Sequence, residues 1–93
     1  MINPTIKDYI KDLTYDNDCM FAQNKSLVEK RRKWEKELLM LLQQKVCDEV
    51  NNRIFYLIGR IQIINDTYKT NVRMIRENLR KVQGLRNGTI KDI

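Results

Sequence analysis

Lys30-Arg31-Arg32-Lys33 and the set Lys69, Arg73, Arg76 and Arg80 are the residues whose type and spacing point most directly to chemistry. At helical spacing the second set shares a narrow arc of one face, with Lys81 and Arg86 nearby. Such a row could straddle phosphates along a nucleic-acid backbone and would give salt-dependent, sequence-blind affinity. The segment from Lys25 to Lys36 adds six positive and two negative residues. There is also an ordinary structural source for this layout. Basic side chains near a helix C-terminus, and acidic ones such as Asp16 and Asp18 near an N-terminus, complement the helix dipole. Arg73 and Glu77 stand at the i,i+4 spacing of a surface ion pair. The Lys30 to Lys33 run also fits a nuclear import signal, a pattern short enough to arise often by chance.

Other chemistries find less footing. Asp8 and Asp12 lie one helical turn apart, the spacing of paired carboxylates, but no third ligand is in view. Cys19 and Cys47 are 28 positions apart in a chain without histidine, which excludes a local zinc site or a Cys-His nucleophile. They are expected as reduced, buried thiols. No glycine-rich phosphate loop or Ser nucleophile in a recognisable setting is present, and Glu35, Glu37, Asp48 and Glu49 read as ordinary helix-surface residues. The expectation is a non-enzymatic protein with no cofactor, no metal and no small-molecule substrate. Trp34, beside the basic run, could stack on an exposed base. Its spacing with Leu27, Leu38 and Leu41 argues instead for a core or interface anchor.

Composition sets the class. A chain of 93 residues is one small domain whose core is marginal alone. With 42% hydrophobic and 32% charged residues, three Gly and one Pro, it sits near the long-helix class and far from turn-rich β-sandwiches. The net charge of +6 permits binding to nucleic acid or anionic lipid without specifying a fold. The N-terminus lacks the apolar stretch of a signal peptide, and the longest apolar runs, Leu38 to Leu42 and Ile54 to Ile58, are five residues each. An intracellular, cytoplasmic or nuclear protein without a transmembrane segment is therefore expected.

The elements that must position these side chains are helices. Val50, Ile54, Leu57, Ile61, Ile64, Tyr68, Val72, Ile75, Leu79 and Val82 form an apolar stripe 33 residues long. Its doubled gap of four, from Ile64 through Tyr68 to Val72, reads as a stutter that relaxes the supercoil of a strict heptad repeat. At 1.5 Å per residue this helix is about 50 Å long. An earlier stripe carries Met20, Leu27, Trp34, Leu38 and Leu41, with Asn24 and Arg31 on the same face and Arg31 packing through its aliphatic stem. Extending that stripe forward lands on Lys45, Asp48 and Asn52, so the two seams do not join and a turn is placed between Cys47 and Asn52. The rival architecture is one continuous helix from about Cys19 to Gln83, which would need an intermolecular coiled coil.

Asn3 and Pro4 suit a helix start, with Ile6, Tyr9, Ile10 and Leu13 as its sticky face. Polar Thr14 to Asp18 reads as a loop. Gly59 either marks a close helix approach or is merely tolerated, and Gly84 begins a stop signal. The expected fold is all-α: a long antiparallel, coiled-coil-like helical hairpin with a short N-terminal helix. Its single domain has the short helix and loop at 1–15, long helices at 18–47 and 50–83, and a frayed tail at 84–93. Leu39, Met40, Phe55, Tyr56, Ile58 and Ile63 lie off the seams, so a second copy or another helical protein should complete the bundle.

The leading functional expectation is an assembly subunit that binds partner helices through Trp34, Leu38, Leu41, Ile54, Leu57, Ile61, Ile64, Tyr68, Ile75 and Leu79. On that reading a charge at Ile61 abolishes assembly, whereas one at Ile58 matters only if the second face is covered. The alternative is a nucleic-acid-binding module using Lys30, Arg31, Arg32, Lys33, Lys69, Arg73, Arg76 and Arg80. A membrane-surface role, with the basic row flanking the apolar seam, is a third reading. The seam is too regular and too long for a face that only lies in lipid.

Overall fold

The structure, a computed structural model, describes residues 4–88. Two α-helices of 39 residues each, α1 (Pro4–Leu42) and α2 (Asp48–Arg86), form an all-α hairpin. The chain packs as two compact units. The turn unit is Asn24–Lys69, holding the connection between the helices, and the terminal unit is residues 4–23 and 70–88.

α1 is continuous where a loop was expected over Thr14 to Asp18. No short N-terminal helix stands apart, so the expected boundary between 1–15 and 18–47 does not exist. The reason is tertiary. Ile6, Ile10, Leu13, Asn17 and Met20 carry the 4,3,4,3 inward spacing straight through the polar segment. Ile10, Leu13, Val82 and Leu85 form the core of the terminal unit, with Ile6 and Tyr9 against it. Thr14 donates its hydroxyl to the Ile10 carbonyl at 2.8 Å, so its polar group is satisfied inside the helix. Asp16 and Asp18 point outward. Pro4 opens the helix as expected, whereas the Asn3 cap lies outside the described residues.

The break between the helices falls earlier than the Cys47 to Asn52 window. α1 tightens at its end, where Gln43 and Gln44 donate their amides to the Met40 and Leu41 carbonyls at 3.2 and 3.1 Å. Asn51 then donates to the Cys47 carbonyl at 2.9 Å, the first hydrogen bond of α2. Asp48 and Glu49 thus belong to the first turn of α2, where their charge complements the dipole. The polar window is a helix start. The connection, residues 43–47, needs no left-handed residue, so the absence of Gly and Pro there is no obstacle. The continuous-helix alternative is excluded by this break.

At its far end α2 runs past Gly84 to Arg86, because Leu85, 4% exposed, is held in the terminal core. The stop is Gly88, whose φ of 73° is the left-handed conformation that glycine adopts freely. The expected tail at 84–93 is helical over its first three residues, and 89–93 lie outside the described residues.

The stutter is also absent. Asn71 is buried, Asn78 is half-buried and Leu79 is 52% exposed, so the inward face of α2 runs Ile64, Tyr68, Asn71, Ile75, Asn78, Val82, Leu85. This is an unbroken heptad repeat with polar members. Following only apolar residues forced a detour through Val72 and Leu79.

Gly59 does not mark a close approach, since a Cβ built there meets nothing within 4 Å. Gly59→Ala is therefore expected to stabilise the chain by up to about 1 kcal/mol through helix propensity, measured by urea unfolding. A loss of stability would reveal a packing role for the glycine.

Candidate interaction surfaces

The seam contains polar rungs as well as apolar layers. In the terminal unit Asn78 donates its Nδ2 to Asn17 Oδ1 at 3.0 Å, and Asn17 donates its own Nδ2 to the Ile75 carbonyl at 3.5 Å. Asn71 donates its Nδ2 to Gln23 Oε1 at 2.7 Å. In the turn unit Arg31 donates Nη1 to Asn65 Oδ1 at 2.9 Å and keeps Nε 3.6 Å from Glu35. Asn17, Asn24 and Arg31 recur every seven residues on α1, on its inward face. Among the described residues no buried side-chain polar atom lacks a partner, so the rungs avoid the penalty of an orphaned group.

Most of the ten residues expected to bind a partner are used within the chain. Leu57 is fully buried and Ile64 and Ile75 nearly so. Trp34, Leu38, Leu41, Ile54 and Ile61 are half-buried along the same seam. Tyr68 lies at the seam edge with 36% exposure, and Leu79 alone points away from it. Trp34 is a seam anchor whose ring lies 5.5 Å from the Arg60 guanidinium carbon, a cation–π contact at the edge of the turn unit.

What remains outside is a second apolar set. In the turn unit Leu39, Leu42, Phe55 and Ile58 are 62%, 61%, 73% and 39% exposed. Each follows a seam residue directly: Leu38, Leu41, Ile54 and Leu57. In two antiparallel right-handed helices, residues just after the seam turn toward the same flank. These four therefore share one flank of the turn unit. A shallow furrow lined by Arg32, Lys33, Glu35, Lys36 and Leu39 runs along α1 there.

The opposite flank, made of residues just before the seam, sets exposed Met40, Tyr56 and Ile63 beside a charged clamp. Arg53 grips Glu37 with two hydrogen bonds, Nε to Oε2 at 2.6 Å and Nη2 to Oε1 at 3.0 Å. This bonding holds the Glu37 carboxyl below the usual range, with partial desolvation opposing it, and raises the Arg53 guanidinium further. A depressed folded-state pKa contributes stability that is present above the unfolded carboxylate value and is lost as pH falls through the folded value. Glu37→Gln should therefore flatten a shallow acid limb in a plot of melting temperature against pH. An unchanged limb would show that the pair contributes nothing in solution.

The basic candidates divide. Lys30, Arg32 and Lys33 are exposed, while Arg31 is half-buried and engaged with Asn65 and Glu35. Lys69, Arg73, Arg76 and Arg80 are all exposed on α2. The Arg73–Glu77 pair is not among the ion pairs of the described residues, which are Arg31–Glu35 and Arg53–Glu37. Asp8 and Asp12 are exposed, and no cluster of metal-ligating side chains occurs among the described residues. Both cysteines are free and exposed rather than buried, since Cys19 faces outward from α1 and Cys47 lies in the connection. The side chain of Cys19 raises the Tyr15 phenol pKa, first through a hydrogen bond and then through charge, with slight burial and Asp16 adding to it.

No described helix is long and apolar enough to cross a membrane. Comparison with protein-family models, curated proteins and solved structures finds no match to this chain.

Proposed function

We propose that this chain is a non-enzymatic assembly subunit, a preformed helical hairpin that docks on other helices. The observation that carries this reading is the flank formed by Leu39, Leu42, Phe55 and Ile58. These residues stay exposed after the seam has been satisfied within the chain. Apolar side chains gathered on one side of a helix pair favour burial against a further helical layer, as in four-helix bundles. The docking residues are accordingly these four rather than the seam residues, and Ile61→Asp would disrupt the hairpin itself.

Light scattering combined with an apolar fluorescent dye tests the reading. The flank must be either covered in an oligomer or open to the dye, and Phe55→Asp should abolish whichever is found. A monomer that binds no dye would overturn the proposal.

A second reading, nucleic-acid binding, is favoured by the exposure of Arg73, Arg76 and Arg80 and by the open Arg73–Glu77 spacing. Affinity for duplex or single-stranded nucleic acid should then fall steeply with salt, and less steeply once the three arginines are neutralised. Absence of binding at low salt removes this reading.

A further inference from the structure

We infer that the nucleic acid bound by this chain is a duplex, held by its phosphates along the outward face of α2 in the terminal unit. The inference rests on the nucleic-acid reading above and names its ligand. Arg73, Arg76, Arg80, Gln83 and Asn87 follow one another at gaps of 3, 4, 3 and 4. On an ideal helix the five fall within about 80° of arc, centred roughly 150° from the inward Asn71, Ile75, Asn78 and Val82. All five are exposed. Asn87 lies just beyond α2 but keeps to the row, because its amide still bonds the Gln83 carbonyl at 2.9 Å. At 1.5 Å per residue the row is about 21 Å long.

Every member donates hydrogen bonds. Three are guanidiniums, whose planar forks match phosphate oxygens in pairs, and two are carboxamides, which also bond phosphates but carry no charge. No carboxylate interrupts the row. Glu77 stands outside the arc, and the ion pairs among the described residues, Arg31–Glu35 and Arg53–Glu37, leave the three arginines uncompensated.

The rest of the terminal unit orients the ligand. Its α2 segment, 70–88, holds five basic residues and one acidic, whereas its α1 segment, 4–23, holds four acidic residues and two basic. Asp8, Asp12, Asp16 and Asp18 are all exposed. A polyanion is therefore drawn to the α2 side and repelled from the α1 side. Single strands are held chiefly where bases stack on aromatic side chains, and the row contains none. A duplex already stacks its own bases and carries one charge per ~1.7 Å of its axis, so a surface that touches only phosphates suits it better.

Fluorescence anisotropy of the full chain with a short DNA duplex of arbitrary sequence, one of its separated strands and polyglutamate, at several salt concentrations, tests the inference. Circular dichroism checks that each variant keeps its helicity. The duplex should bind tightest, with log affinity falling against log salt at a slope of about −3, a loss of roughly fortyfold between about 50 and 200 mM. Arg73→Gln, Arg76→Gln and Arg80→Gln should each bring that slope about one closer to zero. The double variant K30Q/K33Q, which removes exposed cations of the turn unit, should leave it unchanged. A single strand bound as tightly as the duplex would overturn the duplex as ligand and leave the nucleic-acid reading intact. Polyglutamate bound as tightly as the duplex, or no binding of either nucleic acid at low salt, would overturn both. A duplex slope that the triple variant R73Q/R76Q/R80Q does not change, or that K30Q/K33Q reduces as much, would overturn the row as the contact.

Discussion

Leu57→Ala is expected to destabilise the turn unit by about 2–5 kcal/mol, the range for truncating a fully buried leucine. Leu57 has 0% exposure and sits between the two helices in the register that pairs it with Leu38. Only two helices surround it, so they can collapse partly onto the vacated space, which favours the lower half of that range. Leu79→Ala makes the control. Apolar spacing alone puts Leu79 on the seam, but it is 52% exposed and should cost no more than about 0.5 kcal/mol, as surface substitutions do. Urea unfolding of the two variants decides between the heptad with asparagine members and the apolar stripe with a stutter. Equal losses would restore the stripe.

The second large effect belongs to the Asn17–Asn78 rung. Asn17→Leu removes the acceptor of the half-buried Asn78 amide and also the donor to the Ile75 carbonyl, and setting leucine against that amide costs about 1–3 kcal/mol. Replacing both asparagines by leucine removes the unpaired side chains together. Stability should then return to the wild-type level or rise above it, because apolar layers pack better than polar ones in a helical seam. The double variant should lose uniqueness instead. A buried asparagine pair penalises slipped registers and wrong oligomers, since any other alignment sets an amide against apolar neighbours. Unfolding curves would report the recovery, and a broadened mass distribution by light scattering would report the lost specificity. If the single variant were as stable as wild type, the rung would have no energetic role.

The helical class and the hairpin were legible in the sequence because apolar period, sparse Gly and Pro and a broken seam all point the same way. Element ends were less legible. Thr14 to Asp18 has the composition of a loop, yet Leu13 and Asn17 are held by α2 in the terminal unit, so tertiary contacts keep the segment helical. Asp48 to Asn52 has the polarity of a turn, but acids and amides are also what a helix N-terminus prefers, and composition does not separate the two. Asn17, Asn71 and Asn78 were missed as seam residues because their polarity hid their position. The strict recurrence at Asn17, Asn24 and Arg31 was the available signal.

The sequence by itself determined that this chain forms long helices with more apolar surface than one seam can cover, since the 3,4 spacing and the off-seam Leu39, Phe55 and Ile58 are properties of order along the chain. The tertiary structure alone decided which apolar residues the chain uses up internally and which it leaves outside. That division depends on the mutual register of two helices, set by paired polar groups such as Asn17 with Asn78 and Arg31 with Asn65 that meet only when distant parts of the chain are brought side by side.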